Sequence, residues 1–336
     1  MGGPPPADGD LGAPHRWRCA ACGRTVCPRP ADLRPWHRGT PAAQEAALIL
    51  LREASFHRVG RLSAARLRRL VDRVVPTEDA TWWDQPGDLV LSIDEHRVRG
   101  QDLLITVALQ APERRLLAIL GDDRLRSLDA WFAQIPADVR TRIRAVTVDL
   151  KRAYARVVQR WCPNAQVLAD PFHLVQDANR RLDAIRRLEQ AESRTSIPRW
   201  PLVKGRERLT ARQQAQLVAI VERWPALGPR YQLKEDLRAL LTAKTPEEAR
   251  RAWDRWLDNA DACDHAEGPV WAHTMRRWRR EILGHWTQAQ RWTNGLIEGL
   301  HTKIKQLKRL RDGFRNRDRY RRKMFLGFLP PTAIPQ

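Results

Sequence analysis

Three acidic residues stand on unlike backgrounds in this chain: Asp94 inside the apolar run LVLSIDEH, Asp149 at the end of AVTVDL, and Glu298 inside the basic helical segment NGLIEGLHTKIKQLKRLRDGF. Carboxylates set among so many cations point to work on phosphodiesters. That chemistry needs an activated nucleophile and a stabilised leaving oxygen, and two divalent cations roughly 4 Å apart supply both. Mg²⁺ takes hard oxygen ligands, so carboxylates from separate chain segments are the natural clamp, with Mn²⁺ as the alternative ion. A carboxylate buried alone among Val90, Leu91 and Ile93 would cost several kcal/mol, so Asp94 wants a cation; its bland reading is a surface Asp paired with Arg97 or Arg99. Asp149 sits where sheets commonly present ligand groups, and it also suits capping of a helix starting at Lys151.

The spacing around Glu298 predicts a helix with Leu296, Leu300, Ile304 and Leu307 buried, and with Glu298, Thr302, Lys305 and Arg309 together on another face. Lys303, Lys308, Arg311 and Arg315, followed by Arg317, Arg319, Arg321, Arg322 and Lys323, give a charge density suited to a DNA backbone. Such contacts position nucleic acid without reading its sequence. The whole chain agrees, carrying +21 over 336 residues, which attracts nucleic acid over a Debye length of about 8 Å at physiological salt. Arginine spread over solvated faces is the bland alternative, and local clustering argues against it.

The elements that must position these residues are legible as changes of period. LVLSIDEHRV, LLITVALQ and RRLLAILG read as an antiparallel meander, with turns at Arg99-Gly100 and Pro112-Glu113. A helix at SLDAWFAQI, a buried strand IRAVTVDL, an amphipathic helix KRAYARVVQRW and a strand AQVLAD follow. The order β-β-β-α-β-α-β describes an α/β ribonuclease H-like core, a mixed five-stranded sheet with flanking helices, in which Asp94 and Asp149 face one another.

Around that core, residues 1–14 are expected to be disordered and 15–38 to form a partial zinc-ribbon-like segment. Cys19 and Cys22 make a C-x2-C knuckle, and Cys27 with His15 or His37 completes a zinc site on paper; a degenerate knuckle is the other reading. Residues 41–76 suggest a helix-turn-helix-like DNA-binding region, with stripes Ala43, Ala46, Ala47, Leu50, Leu51 and Leu67, Leu70, Val71, Val74, Val75, a Ser63 cap, and Arg66 and Arg69 among the arginines available to phosphates. The core is expected over 88–195, a helical insertion over 196–290, and closing core helices with the Glu and the basic segment over 291–328. The insertion is rich in tryptophan, read mostly as core, with Trp286 or Trp292 as candidates for stacking on an unpaired base. Five cysteines, odd in number, make no disulfide framework, and no apolar run approaches the roughly 20 residues that span a bilayer. A cytoplasmic, nucleoid-associated protein with no membrane partner is expected.

The segments LSIDEHRV, AVTVDLKRAYARVVQRWCPNAQVLADPFHLVQDANRRLDAIRR and NGLIEGLHTKIKQLKRLRDGFRNRDRYRRKMFL closely resemble the ISL3-type insertion-sequence transposases, which are DDE enzymes. The resemblance covers most of residues 15 to 328. It implies that Asp94, Asp149 and Glu298 hold the catalytic metal, that double-stranded DNA in the form of terminal inverted repeats and target is the partner, and that a homodimer forms in synapsis. It matches Asp170-Pro171-Phe172-His173 to a D-x-F-H signature, in which Asp170 and His173 have a structural or phosphate-orienting role. Two departures are the single cysteine pair, which suggests a truncated start, and His301 where the family often has Asn. The alternatives to a transposase are a catalytically idle DNA-binding descendant and a ribonuclease H-fold nuclease.

Overall fold

A computed structural model describes residues 17–18, 25–26, 41–59, 63–99, 102–263, 267–309, 314 and 316–329. A short antiparallel pair, β1 (Trp17–Arg18) and β2 (Thr25–Val26), precedes helices α1 (Pro41–Leu51) and α2 (Ala64–Val74). The main sheet is β3 (Leu89–Arg99), β4 (Asp102–Ala111), β5 (Arg115–Ile119), β6 (Ile143–Val148) and β7 (Gln166–Ala169). Between strands lie α3 (Leu125–Gln134), α4 (Ala137–Arg142) and α5 (Arg152–Trp161), and α6 (Pro171–Ser193) leaves β7. The strand order is β5-β4-β3-β6-β7, with β3, β4 and β5 antiparallel and β6 and β7 parallel to β3. This is the ribonuclease H-like arrangement that the order of elements predicts.

The alternation of side chains along a strand divides the sheet into two unlike faces. Leu89, Leu91 and Ile93 of β3 join Ile105, Val107 and Leu109 of β4 in a wholly apolar core with α3 and α5. The intervening Ser92, Asp94 and His96 are also buried, and so are Thr106 and Thr147 on the neighbouring strands. Helix α13 (Gly295–Lys308) lies against this second face, and α14 (Arg317–Leu326) follows it. Buried polar groups demand partners, and this polar stripe is what the site is built on.

Between α6 and α13 the described residues form helices joined by turns, with no strand among them: α7 (Trp200–Val203), α8 (Ala211–Arg223), α9 (Leu227–Thr242), α10 (Pro246–Asp261), α11 (Glu267–Arg277) and α12 (Arg279–Leu283). Trp253, Trp256, Trp271 and Trp278 extend the apolar core outward from the sheet. Trp200 departs from that pattern, being 64% exposed with the Arg199 guanidinium 5.5 Å from its ring. Trp286 donates to the Ala243 carbonyl at 3.0 Å and packs on the core, and Trp292 packs on Val90, Ala145 and Leu168. Both rings are half-buried.

The N-terminal helices differ from their expected packing. In α1 the buried stripe is Ala47, Leu48 and Leu51, while Leu50 is 57% exposed. Ser63 does cap α2, accepting from the Arg66 amide at 3.4 Å. Both helices share one core with Leu104, Leu116 and Ile119 of the sheet and with Ile304, Leu307, Met324 and Phe325. The basic run after residue 316, read as DNA-facing, is largely structural for the same reason. The Arg319 guanidinium donates to both carboxylate oxygens of Asp72, Arg322 donates to the Val75 carbonyl, and buried Lys323 donates to the Leu51 carbonyl. Sandwiched between α2 and β5, α14 spends its cations on carbonyls that would otherwise be stranded. Because this cluster ties α1, α2 and α14 to the sheet, Phe325→Ala is expected to lower stability by about 3–5 kcal/mol in one cooperative urea transition. A transition confined to the N-terminal helices would contradict the shared core.

Candidate active site

Parallel register assembles the acidic wall. Ile93 pairs with Val148, and Val148 pairs with Ala169, so the next residue of each strand is an aspartate: Asp94, Asp149 and Asp170 form one row across β3, β6 and β7. Asp94 is 6% exposed, Asp149 8% and Asp170 0%. Asp94 lies buried in β3 and makes no ion pair with Arg97, so the surface Asp of the bland reading is not what is found; the side chain of Arg99 lies outside the described residues. Asp149 does not cap α5 directly. Lys151 is the N-cap, and Asp149 accepts from the Lys151 amide at 3.0 Å across a short turn. The bend leaves the carboxylate at the carboxyl end of the sheet.

Among the described residues no Lys or Arg forms an ion pair with Asp94 or Asp149, and their pKa values show it. Burial pushes the Asp94 carboxyl up to about 7, with the charges of Asp149 and Asp170 adding to the rise and His173 opposing it. Burial likewise raises Asp149 to about 6, against the pull of Lys151. Glu95, next in sequence to Asp94, turns the other way and is taken by Lys151 and the Tyr154 hydroxyl.

Asn294 brings in the third segment. It is fully buried at the N-cap of α13 and donates its side-chain amide to the Ile93 carbonyl at 3.3 Å. Its backbone amide donates to Asp170 at 2.9 Å, and its side-chain oxygen accepts from Thr147. Three strands are therefore stapled to the start of α13, and Glu298 follows one turn later, half-buried. Burial raises its carboxyl above the usual range, Asp170 raises it further, and His173 opposes both. Among the described residues no group of three His, Cys, Asp or Glu side chains is arranged to hold a metal ion. The structure thus sets Asp94 beside Asp149 and directs the first turn of α13 toward them without closing a cage.

Two histidines flank Asp94. His173 Nε2 lies 3.7 Å from one carboxylate oxygen, while its Nδ1 lies 2.8 Å from Asp170. Burial lowers the His173 pKa, but the hydrogen bond to Asp170 and the charge of Asp94 outweigh that, so the ring holds a proton more readily than usual. His301 Nδ1 lies 3.8 Å from the other oxygen. Its Nε2 meets Thr106 at 3.0 Å, the same hydroxyl that His96 approaches at 2.8 Å, and His96 reaches the Tyr320 hydroxyl at 3.1 Å. Burial, aided by Lys305 and His173, pushes His301 down to about 4, so it is a neutral ring at physiological pH.

The α13 stripe is rotated from its expected position. Ile297, His301, Ile304 and Leu307 are buried, whereas Leu296 and Leu300 are half-buried. A polar His on the inner face hides from a pattern search for apolar residues. Thr302, Lys305 and Arg309 are exposed on one side as expected, with Lys308 also exposed and Lys303 half-buried over the Phe328 ring. Arg66 and Arg69 are exposed on α2. Arg311 and Arg315, and Cys19, Cys22 and Cys27 with their zinc reading, lie outside the described residues. Among the described residues no helix is long and apolar enough to cross a membrane.

The raised pKa values fix a sign. Unfolded aspartates titrate near 3.8, so the native state without metal holds protons on Asp94 and Asp149 that the unfolded chain has released; stability present below pH 3.8 is lost as pH rises through about 6 and about 7. The Tm in EDTA is expected to fall between pH 5 and pH 8 by more than it does in Asp94→Asn. Equal slopes for the two proteins would show that the wall is not strained by charge.

The family profile of ISL3-type DDE transposases, described as Transposase, matches residues 91–324. The transposase for insertion sequence element IS1001 of Bordetella parapertussis is 27% identical over 325 residues, covering 90% of this chain and 77% of that one. The transposase for insertion sequence element IS1557 of Mycobacterium tuberculosis is 31% identical over 262 residues, covering 67% of this chain and 57% of its own length. Among solved structures, a Drosophila P element transposase strand transfer complex aligns with a TM-score of 0.46 at 13% identity, over 86% of this chain and 92% of that one. The matched span takes in Asp94, Asp149, Asp170, Asn294 and Glu298 together, and the chain belongs to the ISL3 family of DDE transposases, the insertion-sequence transposases its motifs resemble.

Proposed function

We propose that this chain cleaves phosphodiester bonds at the ends of an insertion sequence to free 3′-hydroxyls and joins those ends to target DNA at one divalent-metal site formed by Asp94, Asp149 and Glu298. The observation that carries this is the pair of buried carboxylates on neighbouring strands, neither of them in an ion pair with Lys or Arg among the described residues, whose pKa values are raised to about 7 and about 6. Like charges held so close are relieved by a divalent cation, and an all-oxygen donor set suits Mg²⁺ or Mn²⁺. When bound, the ion supplies Lewis acidity at the phosphoryl group and lowers the pKa of the attacking hydroxyl.

The surrounding residues hold this arrangement in place. Asn294 fixes where α13 starts and so where Glu298 can reach. Asp170, neutralised in part by His173 and by the Asn294 amide, anchors that helix and does not compete for the ion. The neutral His301 ring, tied to Thr106, restrains the far oxygen of Asp94 without bringing a charge that would oppose metal binding. Lys303, Lys305, Lys308 and Arg309 extend from the same helix as phosphate contacts, with Arg66 and Arg69 as a second set on α2. Duplex DNA in the form of terminal repeats and target is the partner, and pairing of two ends calls for a homodimer.

Replacing Asp94, Asp149 or Glu298 by Ala is expected to reduce Mg²⁺-dependent nicking of terminal-repeat DNA by about 10³-fold or more, since losing several kcal/mol of transition-state stabilisation multiplies tenfold per 1.36 kcal/mol. Gel-shift affinity should stay near that of the unchanged protein. Undiminished cutting by Asp149→Ala rules the assignment out. Lys305→Ala and Arg309→Ala should each weaken binding similarly on any DNA sequence and reduce the salt slope of log K by about 1. A loss confined to terminal-repeat sequence would show instead that these side chains read bases.

A further inference from the structure

A cavity of about 360 Å³ opens beside Asp149, between α6 of the core and α11 of the helical insertion. Its walls are chemically unlike. Asp149 stands at one end, Lys151 and Arg180 supply cations, Gln176 and Thr274 supply hydrogen-bonding groups, and Leu150 with the edge of Trp278 gives apolar surface. The side chains of Lys151 and Arg180 are 43% and 78% exposed, although each also touches an acid, Glu95 and Asp177 respectively. The Trp278 indole is buried, with the Arg152 guanidinium 4.1 Å from its ring, so it lends an edge and not a stacking face.

This volume lies in the range of small-ligand sites, about 300–1,000 Å³. A duplex, whose major groove alone is about 12 Å wide, does not enter it. A polynucleotide strand whose scissile phosphate rests at Asp149 must pass the mouth of the cavity, because Asp149 and Lys151 belong to both. The mixture of exposed cations, amide, hydroxyl and apolar floor matches a nucleotide, which presents an anion, a polar base edge and an apolar face together. Enzymes that expose such a group draw it out of the stack, at an expense of a few kcal/mol recovered in the pocket.

We propose that this cavity receives one unpaired nucleotide of the DNA end next to the cut, with its phosphate on Lys151 and Arg180 and its base edge on Gln176 and Thr274. The inference rests on the reading that Asp149 acts on DNA ends. It assigns the insertion a direct part in substrate binding through α11, and it accounts for a cationic patch separate from the one on α13.

The test uses the full chain with duplex DNA carrying the terminal repeat that flanks its gene, with 2-aminopurine placed singly at successive positions around the cut, in EDTA so that no cleavage intervenes. Fluorescence should rise about fivefold at one or two adjacent positions as the base leaves the stack. Glu298→Ala should show the same rise while failing to nick, which separates this proposal from the metal-site assignment: loss of cutting with the rise intact leaves the cavity reading standing. Thr274→Trp, which fills the cavity, should abolish the rise while still binding duplex. The exposed pair Gln176→Ala with Arg180→Ala covers the case in which Thr274→Trp fails to fold, and should reduce the rise at least about threefold. No rise at any position in the bound wild-type protein overturns the proposal, and so does a full rise in both the filled and the polar-deleted variants.

Discussion

Everything at the site depends on the register of three parallel strands. Pairing of Ile93 with Val148, and of Val148 with Ala169, makes the next residue of each strand an aspartate at the same level of the sheet. A slip of one residue in either pairing would turn an aspartate to the opposite, apolar face, where no partner waits. The apolar side chains at 89, 91 and 93 oppose such a slip, since they fill the core on that face. Catalytic geometry is thus secured by hydrophobic packing on the side of the sheet that takes no part in chemistry.

Bringing like charges into one buried row is expensive, and the fold answers it unequally. Asp170 is given the Asn294 amide, the His173 ring and the first turn of α6. Among the described residues Asp94 and Asp149 each accept one neighbouring backbone amide, and the two rings near Asp94 stand off at 3.7 and 3.8 Å, beyond hydrogen-bond reach. This asymmetry separates an anchoring carboxylate from two poised for a cation, and it rests on what each carboxylate is bonded to more than on how deeply it lies. The buried links Ser92 to Thr147, Thr147 to Asn294 and Asn294 to Ile93 then join the sheet to α13 through groups that would be costly to leave unpaired.

Helices α1 and α2 meet the last described helix on the polar face of the sheet. Helices α1 and α2 close over α14, and α14 fixes Tyr320 against His96, which continues through Thr106 to His301 and Asp94. The region expected to read DNA as a separate helical unit therefore shares its core with the helices that carry Glu298. Helix α2 thus has a packed route to the site, through contacts that also engage the cations Arg319, Arg322 and Lys323.

The sequence by itself determined the strand order, the buried character of β3 and β6, the placement of Asp94 and Asp149 at neighbouring strands, the capping by Ser63 and the exposed cationic side of α13. These follow from local periodicity and from the few ways a mixed sheet can be connected. Only the tertiary structure decided which polar residues lie inside. Asn294 looks like an ordinary helix cap until Thr147, Ile93 and Asp170 close around it, and His301 looks solvated until Thr106 and Asp94 meet it. Strict alternation of Ser92, Asp94 and His96 was a visible sign of a polar inner face, but alternation cannot say whether such a face meets water or another helix. The cations of α14 were ambiguous for the same reason: a charge in sequence carries no record of the carbonyl or carboxylate that packing will put beside it.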